Sequence, residues 1–181
     1  MDKKVLLLVV ENRDTILLHF ARLLLELYQS KRVSGINFCE NPKRKAIWFH
    51  RREMLQEALK TDADYFLFLD TDVIPSMEAI DALLAHDEDF ISGFYCQNNG
   101  LPCVLKNGTY YLGKGVCDVD VLSMGFSLMK REVAEKVEYP EPVPANKIDG
   151  DYEFCKKVKE MGFSVKVDFS IRAKHLLLGA F

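Results

Sequence analysis

The segment YFLFLDTDVIP, residues 65–75, constrains this chain more than any other. Five consecutive apolar or aromatic residues run into two aspartates separated by one threonine, and Val-Ile-Pro follows. A short, continuously apolar run ending in a turn is the pattern of a strand buried on both faces. Such a strand belongs inside a sheet, and its acidic end, Asp70-Thr71-Asp72, has to lie where the sheet meets solvent. Residues 5–10, VLLLVV, repeat the pattern and suit a second central strand. Residues 11–14 break that run. Ile16, Leu17, Phe20, Leu23, Leu24 and Leu27 then recur at helical spacing, which predicts a helix over 15–29. A strand is expected over 33–38 and a helix over 42–59, ahead of the strand at 65–69.

The second half is less regular. Ser76 is an N-cap for a helix that buries Met77, Ile80, Leu83 and Leu84. A short strand is expected over 90–92. Residues 94–120 are dense in Asn, Gly and Pro and read as loops and small hairpins. Strands over 119–122 and 126–130 flank a Ser-Met-Gly turn, and 131–137 reads as helix. Three prolines over 139–145 exclude regular structure there. A helix over 151–161 ends at Gly162, a suitable C′ residue, and a last strand is expected over 163–167. The strand–helix alternation of the first half predicts an α/β protein with a parallel sheet. Its ligand crevice would lie outside the carboxyl ends of the strands, where Asp70, Asp72 and residues 11–14 are placed.

Two carboxylates one residue apart in a turn can converge on one hard cation, magnesium or manganese. The alternative is a turn with an acidic helix cap. Asp149 and Asp151 open a helix and allow the same two readings, with Gly150 between them permitting close approach of a ligand. His175 by itself reads as structural or solvated. The 181 residues suffice for one domain with a sizeable core, and a net charge of −3 gives no general attraction to nucleic acid. The basic residues 43–45 and Arg51–Arg52 then read as a solvated face. Five dispersed cysteines without a CxxC pair suggest reduced thiols. The apolar run near the N-terminus is too short for a signal segment or a membrane span, so a soluble cytoplasmic protein is expected, with peripheral membrane contact allowed.

Taken together these motifs resemble the GT-A glycosyltransferases, in particular the small family-two-like forms of phages, archaea and their viruses. VLLLVVENRD is similar to the first strand and base-receiving loop of that family. RREMLQEALKTDADYFLFLDTDVIP supplies the arginine, helix, strand and DxD in family order. DFISGFY and VDVLSMGFSLMKREV follow, the latter similar to the glycine turn beside the sugar. GDYEFCKKVKEMGFSVKVDFSIRAKH is similar to the acidic helix start, strand and late histidine. The resemblance implies a single GT-A domain over 1–181, Rossmann-like, with a mixed, mainly parallel central sheet flanked by helices. Its nucleotide-binding half would span 1–93 and its sugar and acceptor half 94–181.

By matching position, the resemblance makes Asp72 a ligand of manganese or magnesium. Asp70 would contact ribose or the metal through water, and His175 would complete the metal shell. Asp151 would be the general base, a role that requires it to face the anomeric carbon opposite the leaving diphosphate. Glu11, Arg13 and one of Arg51 and Arg52 would contact the nucleotide, and Gly125 would admit the sugar. The implied activity is inverting transfer from a UDP- or GDP-sugar to the hydroxyl of a glycan, protein or lipid acceptor. Two departures are visible: Gly150-Asp151 stands where the family has Glu-Asp, and the chain ends soon after His175. The latter leads to the expectation that an oligomer or partner helps select the substrate. The rival enzyme is a haloacid-dehalogenase-like phosphatase, whose nucleophilic aspartate sits on the first strand rather than the third. The rival outside catalysis is a relic that binds nucleotide-sugar without turnover.

Overall fold

The computed structural model of the protein describes residues 3–10, 18–39, 47–97, 99–140 and 150–176. Eleven strands and five helices follow one another in it. Strand β1 (Val5–Val10), helix α1 (Leu18–Gln29), β2 (Gly35–Cys39), α2 (Ile47–Ala58) and β3 (Tyr65–Asp70) make up the alternating first part. Then come β4 (Val73–Pro75), α3 (Met77–Ala85), β5 (Phe90–Phe94), β6 (Val104–Lys106), β7 (Thr109–Tyr110) and β8 (Val116–Asp118). The chain continues through β9 (Val121–Leu122), β10 (Phe126–Lys130), α4 (Arg131–Lys136), α5 (Gly150–Glu160) and β11 (Val165–His175).

Eight strands form one sheet in the order β2-β1-β3-β10-β5-β11-β4, with β8 also paired to β11. Pairings β1·β2, β1·β3 and β5·β11 are parallel; β10 runs antiparallel between β3 and β5. The central sheet is therefore mixed and mostly parallel, with helices on its faces. The apolar runs explain why it forms. Every residue of β1 and of β3 is buried. Leu6, Leu8, Val10, Phe66 and Phe68 enter the core on one face, while Val5, Leu7, Val9, Leu67 and Leu69 enter the core on the other. This is the period-two alternation of a strand covered on both sides. Phe20, Leu23 and Leu27 of α1 cover the second face at helical spacing. Each large apolar side chain so buried contributes about 2 kcal/mol of transfer free energy.

The helix signals behave as their chemistry requires. Ser76 caps α3 by accepting from Ala79 N at 3.2 Å. Helix α5 carries Asp151 and Glu153 in its first turn and Lys157 and Lys159 in its last, complementing the helix dipole. Gly162 follows α5 with φ +86°, as a C′ residue does. Strand boundaries need correction. The last strand extends to His175, well past residue 167, because a register shift between Asp168 and Arg172 carries it from β5 onto β4. Within residues 94–120, β6 and β7 form one of the small hairpins expected there, and β9, just beyond, adds the third strand of a separate small sheet. The strand expected over 33–38 is displaced to β2 (Gly35–Cys39), and residues 42–46, expected to be helical before α2, lie outside the described residues. Among the described residues no helix is long and apolar enough to cross a membrane.

Candidate functional site

Strand β3 stops at Asp70, whose partner in register is Val10 at the end of β1. Both strands run the same way, so their carboxyl ends open on one edge of the sheet. Thr71 N donates to Val10 O at 3.3 Å as the chain turns, and β4 leaves in the opposite direction to pair with β11. That pairing sets Val73 opposite His175, and Leu176 N donates to Asp72 O at 2.8 Å. The long last strand thus delivers a histidine to the second aspartate of the DxD.

His175 Nε2 lies 3.4 Å from Asp72 Oδ2, and its Nδ1 is 3.1 Å from Cys96 O. A carbonyl oxygen only accepts, so Nδ1 carries the hydrogen and donates. Nε2 then faces a carboxylate oxygen, a contact that either a proton on Nε2 or a bound cation would satisfy. Cis ligands at about 2.1 Å from a magnesium or manganese ion would stand about 3.0 Å apart, close to this spacing. The ring also packs edge-on against Tyr95, centroids 5.7 Å apart. Among the described residues no group of three or more His, Cys, Asp and Glu is placed to hold a metal. Any ion held by this pair would have to take its remaining ligands from elsewhere, such as phosphate oxygens and water.

Asp70 and Asp151 meet through Arg51. Asp151, in the first turn of α5, and Arg51, in α2, are 5% and 2% exposed. Arg51 Nη2 donates to both Asp70 oxygens, at 3.0 and 3.2 Å, and Nη1 donates to Asp151 Oδ1. Asp151 Oδ1 also accepts from Tyr139 Oη at 3.2 Å, and Oδ2 accepts from Met124 N at 3.2 Å. Tyr139 is itself stacked on Phe154 of α5 at 4.8 Å. Burial works against the Arg51 charge, but Asp151 and Asp70 hold the guanidinium protonated, well above its ordinary pKa. Asp70 is also raised above the ordinary carboxylate value: burial raises it most, Arg51 opposes this, and the neighbouring Asp72 and Asp151 charges reinforce it. Burial, and next the Asp70 and Asp151 charges respectively, push Tyr95 and Tyr139 up, so both remain hydroxyl donors.

Gly125 completes the floor. Its carbonyl accepts from Asp70 N at 3.0 Å, and its N–H donates to Tyr95 Oη at 3.1 Å; that hydroxyl also shares a hydrogen bond with Ser123 Oγ. A Cβ at this position would stand 2.7 Å from Asp70 Oδ2, so only glycine fits without displacement. Beside these residues a cleft of about 460 Å³ opens between the small sheet and the start of α5. Leu105, Tyr110, Ser123, Asp151 and Tyr152 are among its lining residues.

Asp70, Asp72, Gly125, Asp151 and His175 thus converge. Arg52 does not join them: it turns away to Glu138, at 3.2 Å. Arg51 reaches the site, but buried and shared by two acids rather than presented to a nucleotide. Glu11, Arg13 and Asp149 lie outside the described residues. Tyr95 and Tyr139 were missed. Tyr95 had a signal, since it follows a buried strand directly, as the DxD does.

No protein-family model and no curated protein matches the sequence. Solved structures do match the fold. Protein A197 from STIV aligns at TM-score 0.71 and 21% identity, over 95% of this chain and 85% of that one. The catalytic domain of Drosophila beta1,4-galactosyltransferase 7, solved with xylobiose, aligns at 0.62 and 16%, over 96% and 71%. A mutant of that enzyme has been solved with manganese, UDP-Gal and xylobiose. A glycosyltransferase involved in glycosylation of the major capsid of PBCV-1 aligns at 0.58 and 14%, over 98% and 94%. The chain has the GT-A fold.

Proposed function

We propose that the protein is a metal-dependent, inverting glycosyltransferase that moves a sugar from a nucleoside-diphosphate sugar to an acceptor hydroxyl. The observation that carries this reading is the meeting of Asp72 and His175, in a geometry that suits a divalent ion, with Asp151 at the edge of an open cleft. Likeness to fold relatives solved with manganese, UDP-sugar and a disaccharide supports it.

Asp72 and His175 would hold manganese or magnesium directly, and Asp70, whose oxygens already accept from Arg51, would act through water or the ribose hydroxyls. The ion, when bound, would neutralise charge that builds on the departing diphosphate. Gly125, expected to admit the sugar, instead lets Asp70 and Tyr95 pack against its backbone, and so holds Asp70 at the edge of the donor site. The cleft receives the acceptor, and Asp151 takes the proton from its hydroxyl as the oxygen attacks the anomeric carbon. Attack on the face opposite the diphosphate inverts the configuration. A dehalogenase-like phosphatase fits less well, because its nucleophilic aspartate ends the first strand, whereas Asp70 ends the third.

A thermal-shift screen of UDP, GDP, CDP and their sugars, each with manganese or with chelator, tests this. One nucleoside diphosphate should stabilise the protein in the presence of manganese and not with chelator. No shift with any nucleotide would refute the reading.

A further inference from the structure

We propose that Arg51 is the positioning residue of the site: it fixes Asp151 relative to Asp70 and makes no contact with the nucleotide. The proposal rests on the glycosyltransferase reading for the role given to Asp151. Three elements far apart in sequence, α2, the end of β3 and the start of α5, meet at this one guanidinium. Its planar fork spans the two acids, donating to Asp70 through Nη2 and to Asp151 through Nη1. Without it, two buried carboxylates would face each other with no cation between them, and like charges at close range separate or take up a proton. Tyr139 and Met124 N complete the hold on Asp151, so the plane of its carboxylate is set by three donors on three segments.

Arg51 is 2% exposed, both its terminal nitrogens donate to carboxylates, and its Nε–H, which has no partner among the described residues, is itself buried, so burial rather than a lack of hydrogens keeps it from a diphosphate in the open crevice. Its action on turnover therefore passes through Asp151. Lysine is a poor substitute, since a single ammonium cannot reproduce the spacing of the two Nη groups. The arginine resembles a permanent brace between the donor side and the acceptor side of the site.

The test compares wild type, Arg51→Lys and Arg51→Ala in the full chain. Nucleoside-diphosphate affinity is measured by calorimetry with manganese, kcat and KM by a transfer assay, and the site by a crystal structure of Arg51→Lys. The expected result is a fall in kcat of at least tenfold for Arg51→Lys, with nucleotide Kd and donor KM within about threefold of wild type. Millimolar guanidinium, but not sodium at equal ionic strength, should restore part of the Arg51→Ala turnover. A Kd that weakens as much as kcat falls would overturn the proposal, because Arg51 would then be a nucleotide ligand. The crystal structure separates this failure from failure of the glycosyltransferase reading. A shift of Asp151 relative to Asp70 supports the brace even if wild type transfers no sugar. An unmoved pair in Arg51→Lys overturns it.

Discussion

Gly125→Ala would probe how tightly the site is packed. The added methyl would lie 2.7 Å from Asp70 Oδ2 and 3.1 Å from Asp70 Cγ, and closer still to Tyr95 Oη. Neither neighbour yields cheaply. Asp70 is bonded through both oxygens to Arg51, and Tyr95 Oη is engaged by Ser123 and by Gly125 N. Forcing a methyl into such a place costs about 1–3 kcal/mol. Loss or distortion of one hydrogen bond adds about 1 kcal/mol, for a total of roughly 2–4 kcal/mol. For a domain of this size that is a fall in Tm of roughly 5–15 °C. Differential scanning calorimetry of the nucleotide-free variant reads it directly, and nucleotide affinity should fall as well because Asp70 is displaced. A variant that melts within about 1 °C of wild type would refute the reasoning, since the site would then have slack that its geometry denies.

Asp151→Asn should abolish transfer, by at least a hundredfold in kcat, while manganese-dependent nucleotide binding stays within a few-fold of wild type; loss of binding together with turnover would deny it the base role. His175→Ala should raise the manganese concentration for half-maximal nucleotide binding at least tenfold, and an unchanged value would remove it from the metal shell. Asp168 supplies a pH test away from the site. Burial acts to raise its pKa, but the Ser170 hydroxyl and amide and His86 outweigh burial and hold it below the usual carboxylate range. A depressed folded pKa contributes stability that is full above the unfolded value, about pH 4, and is lost as pH falls through the folded one. The Tm advantage of wild type over Asp168→Asn should therefore shrink as pH falls below about 4; an advantage that persists or grows there would contradict the assignment.

Much of the scaffold was legible because its signals are local. Continuous apolar runs marked β1 and β3, helical spacing marked α1, and Ser76 and Gly162 bounded α3 and α5. The DxD was readable as a site because a buried strand has to end somewhere, and an acid pair at that end has to be hydrated, capped or ligated. What escaped depends on long-range pairing. The insertion of β10 between β3 and β5 leaves no mark in the periodicity of residues 126–130. The end of β11 alternates polar and apolar residues after a register shift, so it does not look like the buried strand that precedes it. Arg51 was named as a candidate, but its pairing was not foreseen: beside Arg52 in a charged helix it looks solvated, and the two acids it bonds lie 19 and 100 residues further along the chain.

The central claim is that Asp72 and His175 grip a divalent ion to which a nucleoside diphosphate binds. Titration calorimetry of the nucleoside diphosphate selected by the thermal-shift screen, into wild type and Asp72→Ala with manganese and with chelator, tests it most directly. Binding is predicted for wild type with manganese alone, and neither for wild type with chelator nor for Asp72→Ala. Undiminished binding by Asp72→Ala, or equal binding with chelator, would contradict the account.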